Sequence, residues 1–284
     1  MNRFVIIIFL GFLVFAGCKH DEVIQNRYVT VFFSPRSQFG DSFIKSTASE
    51  AETLITKIIM YGTDEHGNIV ETFPVMDEPS LSGIQLSISM DTKSLYAIAN
   101  PSANVQAANP STVSDLMNLT GDFSNPPQSP FLMSGMADVI GNTANIELIR
   151  AVAKIVVNGD DEFQIISVTV KNTPDKGFVF PQSSFVIPPT AIRKYYPANT
   201  TSTTVYVAEN IVENPTTLTV KGLFENYPEI SVNIDFKVDK KAVPIERNKC
   251  YQVKISPSPE QNCTVSITIS EWDDVEVDTH YFEY

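Results

Sequence analysis

Apolar residues in this chain recur mostly at every second position, the spacing of side chains on a pleated strand rather than on a helix. Residues 28–33 place Val29, Val31 and Phe33 on one face, which predicts a first strand ended by Ser34-Pro35. Residues 54–61 and 69–73 flank Asp64-Glu65-His66-Gly67-Asn68, a turn sequence between two strands, and so predict a hairpin. Ile84, Leu86, Ile88 and Met90 alternate with Gln85, Ser87 and Ser89, and a further strand at 95–99 stops at Asn100-Pro101. One short helix is expected at 112–119. There Thr112-Val113-Ser114-Asp115 resembles a capping box ahead of Leu116 and Met117.

The second half is more plainly extended. Strands are expected at 163–170, 205–207, 218–220 and 230–238, the last with Ile230, Val232, Ile234, Phe236 and Val238 on one face. Residues 174–197, rich in proline and serine, read as a loop with one short strand inside it. Residues 250–255 and 263–269 predict a closing hairpin around Ser256-Pro257-Ser258-Pro259.

Residues 131–158 organise the rest. Before Arg150 the alternation puts Ile146 and Leu148 on one face; after it, Ala151, Ala153, Ile155 and Val157 run with the opposite parity. A strand that buries one parity cannot bury the other in the same sheet without a slip. The change predicts a strand that leaves one sandwich and enters a second, with Arg150 at the crossing. A single bulged strand is the alternative. The expected organisation is all-β, with two β-sandwiches in series at 28–150 and 151–284.

Composition agrees with this pattern. A chain of 284 residues suits two domains, and 43% apolar against 19% charged residues describes a globular chain. The net charge of −13 argues against a nucleic-acid partner, whose phosphates need a basic footprint.

The first seventeen residues read as a leader. Arg3 precedes an uncharged apolar run over 4–15, too short for a permanent bilayer span and of the length of a secretory core. It ends in Phe15-Ala16-Gly17-Cys18, similar to the lipobox of bacterial lipoproteins despite Phe15 in place of the usual leucine. Cleavage between Gly17 and Cys18 with acylation of Cys18 is expected, and residues 18–27 become a linker. Lys19-His20-Asp21-Glu22 resembles a surface-export signal of some Gram-negative lipoproteins, or is a solvated spacer.

No catalytic constellation emerges. His20, His66 and His280 are scattered, no Cys-x-x-Cys is present, and phosphate loop, dinucleotide fingerprint and nucleophile elbow are all missing. Asp160-Asp161-Glu162 and Asp273-Asp274 lack the ligand spacing of a calcium loop and read as solvated turns. A non-enzymatic chain without metal or cofactor is expected.

Five local patterns together resemble the fimbrillin superfamily, the subunits of type V pili. They are Leu95-Tyr96-Ala97-Ile98-Ala99-Asn100; Met133-Ser134-Gly135 followed by Leu148-Ile149-Arg150-Ala151-Val152-Ala153-Lys154-Ile155; Val205-Tyr206-Val207-Ala208-Glu209-Asn210; Arg247-Asn248-Lys249-Cys250-Tyr251-Gln252-Val253; and Ile267-Thr268-Ile269-Ser270-Glu271-Trp272. The resemblance implies two transthyretin-like β-sandwiches, export as an outer-membrane lipoprotein, and an arginine-specific protease that removes the first strand. A strand from another pilus subunit then fills the groove by β-augmentation. Arg36 is the maturation site expected here: it follows the first strand in a loop, whereas Arg27 precedes the strand and Arg150 lies in the crossing. An anchor or tip adhesin that keeps its first strand, and a surface glycan-binding lipoprotein, are the alternatives. Residues 275–281 also alternate, as a donor strand or as an ordinary edge strand.

Cys250 and Cys263 are expected as free thiols. With the turn near 257–259, Cys250 falls opposite about residue 268. The roughly 16 Å between the two cysteines, at about 3.3 Å per residue, exceeds the ~7 Å that a disulfide spans.

Overall fold

The structure, a computed structural model, describes residues 25–35, 49–160, 163–182, 190–210, 215–224, 228–238, 241–257, 263–272 and 278–283. Its first half runs β1 (Asn26–Pro35), α1 (Glu50–Thr53), β2 (Lys57–Thr63), β3 (Ile69–Asp77), β4 (Ile84–Ser89), β5 (Ser94–Ala99), α2 (Ala103–Gln106), α3 (Val113–Met117), β6 (Thr120–Asp122), β7 (Met133–Asp138) and β8 (Thr143–Arg150). The second runs β9 (Val152–Gly159), β10 (Phe163–Pro174), β11 (Lys176–Phe178), β12 (Ala191–Thr200), β13 (Ser202–Ala208), β14 (Thr217–Phe224), β15 (Ile230–Asp235), β16 (Lys237–Val238), β17 (Lys241–Ala242), β18 (Lys249–Pro257), β19 (Cys263–Glu271) and β20 (Asp278–Glu283).

The first half is one sheet of order β3-β2-β5-β7-β8-β1-β4 that folds back on itself at β7–β8. Only Met133 with Arg150 and Ser134 with Ile149 pair at that corner. Gly135 makes the corner possible, since a Cβ there would lie 2.0 Å from the Glu147 carbonyl oxygen. The two arms enclose Val29, Val31, Ile88, Ile146 and Leu148 on one side and Met60, Leu95, Ala97 and Met133 on the other. In the second half β12-β10-β14-β15 packs on β13-β9-β18-β19-β20 around Ile155, Val157, Val168, Val220, Val253 and Ile267. The chain is all-β, two sandwiches in series. Among the described residues β6–β11 is the ladder that joins the halves.

The strand from Thr143 changes sheets at Arg150, as its parity change implies. β8 pairs with β1 and β7, whereas β9 pairs with β13 and β18. Val152 is also buried, although its parity is opposite to that of Ile155, because the first half covers the outer face of β9 at its start.

Several expectations need correction. The helix at α3 forms with its Thr112–Asp115 capping box, but α1 and α2 are further one-turn helices. Met90 falls beyond β4 and is exposed. Residues 191–200 are a strand, not part of a loop. Their apolar phase carries Lys194 between Ile192 and Tyr196, which conceals the alternation, and Pro197 is tolerated because β12 is an edge strand bonded only to β10. The strand expected over 230–238 breaks at Phe236. There the carbonyl accepts from Val243 N–H and pairing switches from β14 to β17. The closing hairpin sets Cys250 opposite Ser270 and Cys263 opposite Pro257, two positions from the expected register. Both cysteines are free thiols all the same.

Candidate functional site

β1 lies inside its sheet, not at an edge. Residues Asn26 to Val31 pair antiparallel with β4, and residues Thr30 to Pro35 pair parallel with β8. Val29, Val31 and Phe33 point inward and are almost fully buried, while Tyr28 and Phe32 face out at 66% and 37% exposure. Burial of these three side chains contributes about 1.5–3 kcal/mol each, a sum comparable to the roughly 5–15 kcal/mol that holds a whole domain folded. Without β1, the sandwich is left with a groove whose walls include Leu86, Ile88, Ile146 and Leu148.

At the upstream end of β1, Arg27 Nη2 donates to the Thr92 carbonyl at 3.0 Å. Arg36, the expected maturation site, lies outside the described residues, as do Gly17 and Cys18.

A second concentration of chemistry sits where the halves meet, and the sequence did not single it out as a site. Glu52 of α1 is 2% exposed, yet its carboxylate accepts from Lys154 Nζ at 2.8 and 3.1 Å, Tyr206 Oη at 2.7 Å and Ser49 N–H at 2.8 Å. Burial would raise this carboxyl, but those three donors together hold it below its ordinary value. The fully buried Arg150 donates through Nε to the Glu52 carbonyl and through Nη1 to Asn248 Oδ1, each at 3.0 Å. Its guanidinium carbon stands 4.8 Å from the centre of the Trp272 ring. Tyr206 stacks on Trp272 at 5.7 Å with 9° between planes, and Phe131 closes on Tyr206 at 4.6 Å.

A third contact works from the far side. Arg247 forms an ion pair with Glu209 at 2.8 Å and donates to the carbonyls of Val179 and Phe178. Val179 and Phe180 thereby cover the outward face of β2 and β5 at Ile59, Tyr61, Tyr96 and Ile98. The sequence patterns that carry the family resemblance therefore converge in space. Asn100, Arg150, Lys154, Tyr206, Glu209, Arg247, Asn248 and Trp272 all belong to them. Glu52 does not, and no apolar period around it marks it out.

A cleft lined by Asp122, Phe123, Asn125, Gln128 and Phe131 has a volume of about 230 Å³, below the roughly 300–1,000 Å³ of small-molecule sites.

No family model and no curated protein matches the chain. Solved structures do. A protein assigned to cell adhesion from Bacteroides eggerthii superposes with a TM-score of 0.62 at 16% identity, covering 87% of this chain and 96% of that one. The tip fimbrial protein Mfa3 of Porphyromonas gingivalis, truncated at its C-terminus, gives 0.60 at 17%, over 87% of this chain and 100% of that one. A fimbrial assembly protein from Parabacteroides distasonis gives 0.58 at 13%, over 91% and 100%. The fold is fimbrillin-like. These likenesses span both sandwiches, so the order of the two is part of the shared architecture.

Proposed function

We propose that this chain is a structural subunit of a surface pilus, non-enzymatic, built from sandwich domains at 28–150 and 151–284. In this reading it is exported with a leader cleaved after Gly17 and is held at the outer membrane by acyl chains on Cys18. An arginine-specific protease cuts at Arg36, β1 leaves, and a strand from a neighbouring subunit takes its place, so that the fibre contributes to adhesion. The observation that carries the reading is the position of β1: an interior strand with its own inward side chains, bonded over different stretches to β4 and to β8. Its loss opens a full-length groove with main-chain donors and acceptors on both walls, the geometry that β-augmentation requires. The fimbrial and adhesion neighbours support the same role.

An anchor or tip subunit that keeps β1 is the second reading. It is favoured by β20, which pairs with β19 along Thr264 to Ile269 at the edge of its own sheet and in that place completes the second sandwich.

The test is Arg36→Ala in the exporting cell, followed by electron microscopy. Fibres from the wild type and none from the variant are expected; uncut protein in both, with fibres still formed, transfers the chain to the second reading. Cys18→Ala is expected to abolish membrane fractionation, and undiminished retention contradicts lipid anchoring at that residue.

A further inference from the structure

We infer that Glu52 is the retaining residue of strand release: its buried carboxylate fastens the chain downstream of β1 to the second half, so that loss of β1 stops before β2. The inference rests on the reading that β1 is removed. β1 is held by β4 and β8, whereas α1 is held by β9 and β13. The grip on the Glu52 carboxylate uses neither of the strands that hold β1; only Arg150, the last residue of β8, reaches α1 from that side, through the Glu52 carbonyl.

α1 has four residues, far fewer than a helix needs to persist by itself. A carboxylate at 2% exposure is also costly unless it is paired. Both features make sense if the segment exists to place Glu52 against the second half. Lys154 and Tyr206 are directly opposed in the β9–β13 ladder, so one carboxylate bridges two strands of a sheet to which it does not belong. Arg150 adds a bond to the Glu52 carbonyl, gripping side chain and main chain together. Just beyond, Thr56 N–H donates to Asn100 Oδ1 and Asn100 Nδ2 donates to the Leu54 carbonyl, so the chain is fastened twice before β2 begins at Lys57. A cut ahead of α1 therefore meets a fixed point in the second sandwich, which does not lose a strand.

Amide hydrogen exchange on the full chain tests this. Glu52→Gln is expected to speed exchange at residues 49–53 by about 10- to 100-fold, the worth of hydrogen bonds to a charged group, and to leave β1 and β8 at wild-type rates. Protection lost in parallel across α1, β1 and β8, or unchanged at 49–53, overturns the inference. After arginine-specific digestion, the wild-type core keeps β2 protected, whereas the Glu52→Ala core loses that protection and is cut at Lys57 by an added lysine-specific protease. A Glu52→Ala core with β2 intact also overturns it. Should Glu52→Ala fail to fold, Glu52→Gln carries both arms. If neither protein is cut at Arg36, the reading in which β1 is removed gives way to the anchor or tip reading, while exchange in the intact chains still decides whether Glu52 fastens α1.

Discussion

β1 and β9 hold equivalent places in the two sandwiches. Each opens its half, and each lies between an antiparallel strand, β4 or β13, and a parallel one, β8 or β18. They are bonded differently. In β9, Lys154, Ile155, Val156, Val157 and Asn158 belong to both ladders; in β1, Thr30 and Val31 do, and beyond them Phe33 N–H adds a long bond of 3.5 Å to the Leu81 carbonyl ahead of β4. β1 is bonded to one wall over its first part and to the other over its last, so either end opens by breaking a single ladder. β9 has no such end. It also continues directly from β8 and begins beside the buried Arg150, whereas β1 takes in Arg27, expected ahead of the strand but paired with Ile88, and is followed in the sequence by Arg36. A central position alone does not fix a strand: the overlap of its two ladders and its covalent attachments decide whether it is replaceable.

The largest effect expected is from placing a charge at an inward position of each strand. Val157→Asp should prevent folding of the second sandwich, because an unpaired buried carboxylate costs several kcal/mol and β9 cannot leave. Val31→Asp should expel β1 alone, leave the second sandwich native by NMR, and bind an added peptide of residues 26–35. Rescue of Val157→Asp by a peptide of residues 152–159 would erase the distinction.

Next in size is Lys154→Met, which leaves the Glu52 carboxylate buried without its cation and should cost about 3–5 kcal/mol in denaturant unfolding. Glu52→Gln together with Lys154→Met should recover much of that loss, as removing both charges is gentler than removing one. A double variant worse than the single one would mean that the pair is not what fastens α1.

Acid should act more mildly at the same place. Glu52 is held below its ordinary value of 4.5 by Lys154, Tyr206 and Ser49 N–H against the opposing effect of burial, with Arg150 and Trp272 packed alongside. A depressed carboxyl stabilises the fold fully above its unfolded value and loses that contribution as pH falls through its folded one. Stability should thus hold down to about pH 4.5 and decline below it, with a shallower decline in Glu52→Gln. An equal slope in both proteins would place the acid sensitivity elsewhere. The smallest effect expected is from reductant: with no disulfide at Cys250 or Cys263, Tm should not change.

Much of this is legible in the sequence. β1 and its inward Val29, Val31 and Phe33 follow from strict alternation, and the switch at Arg150 follows from a change of parity, because strand faces are set by local spacing. β12 was not legible: a lysine in its apolar phase and a proline at residue 197 disguise an edge strand, whose outer ladder is free to be irregular. The closing hairpin kept its two strands but not its register, since proline and serine around 256–259 suit more than one turn centre. Glu52 was hidden for a different reason. Its partners Lys154 and Tyr206 lie 102 and 154 residues away in sequence, and a buried ion pair across an interface leaves no period to detect. The motifs behind the family resemblance did hold the other half of that site, as residues of the joint rather than of the groove.

The central claim, that β1 is the replaceable strand of this fold, is tested most directly by exchange with a labelled peptide of residues 26–35 before and after arginine-specific digestion. Intact protein should exclude the peptide, whereas digested protein should release its own β1 and take up the label in its place, with the second sandwich unchanged. Digested protein that keeps its own β1 and excludes the label would contradict it.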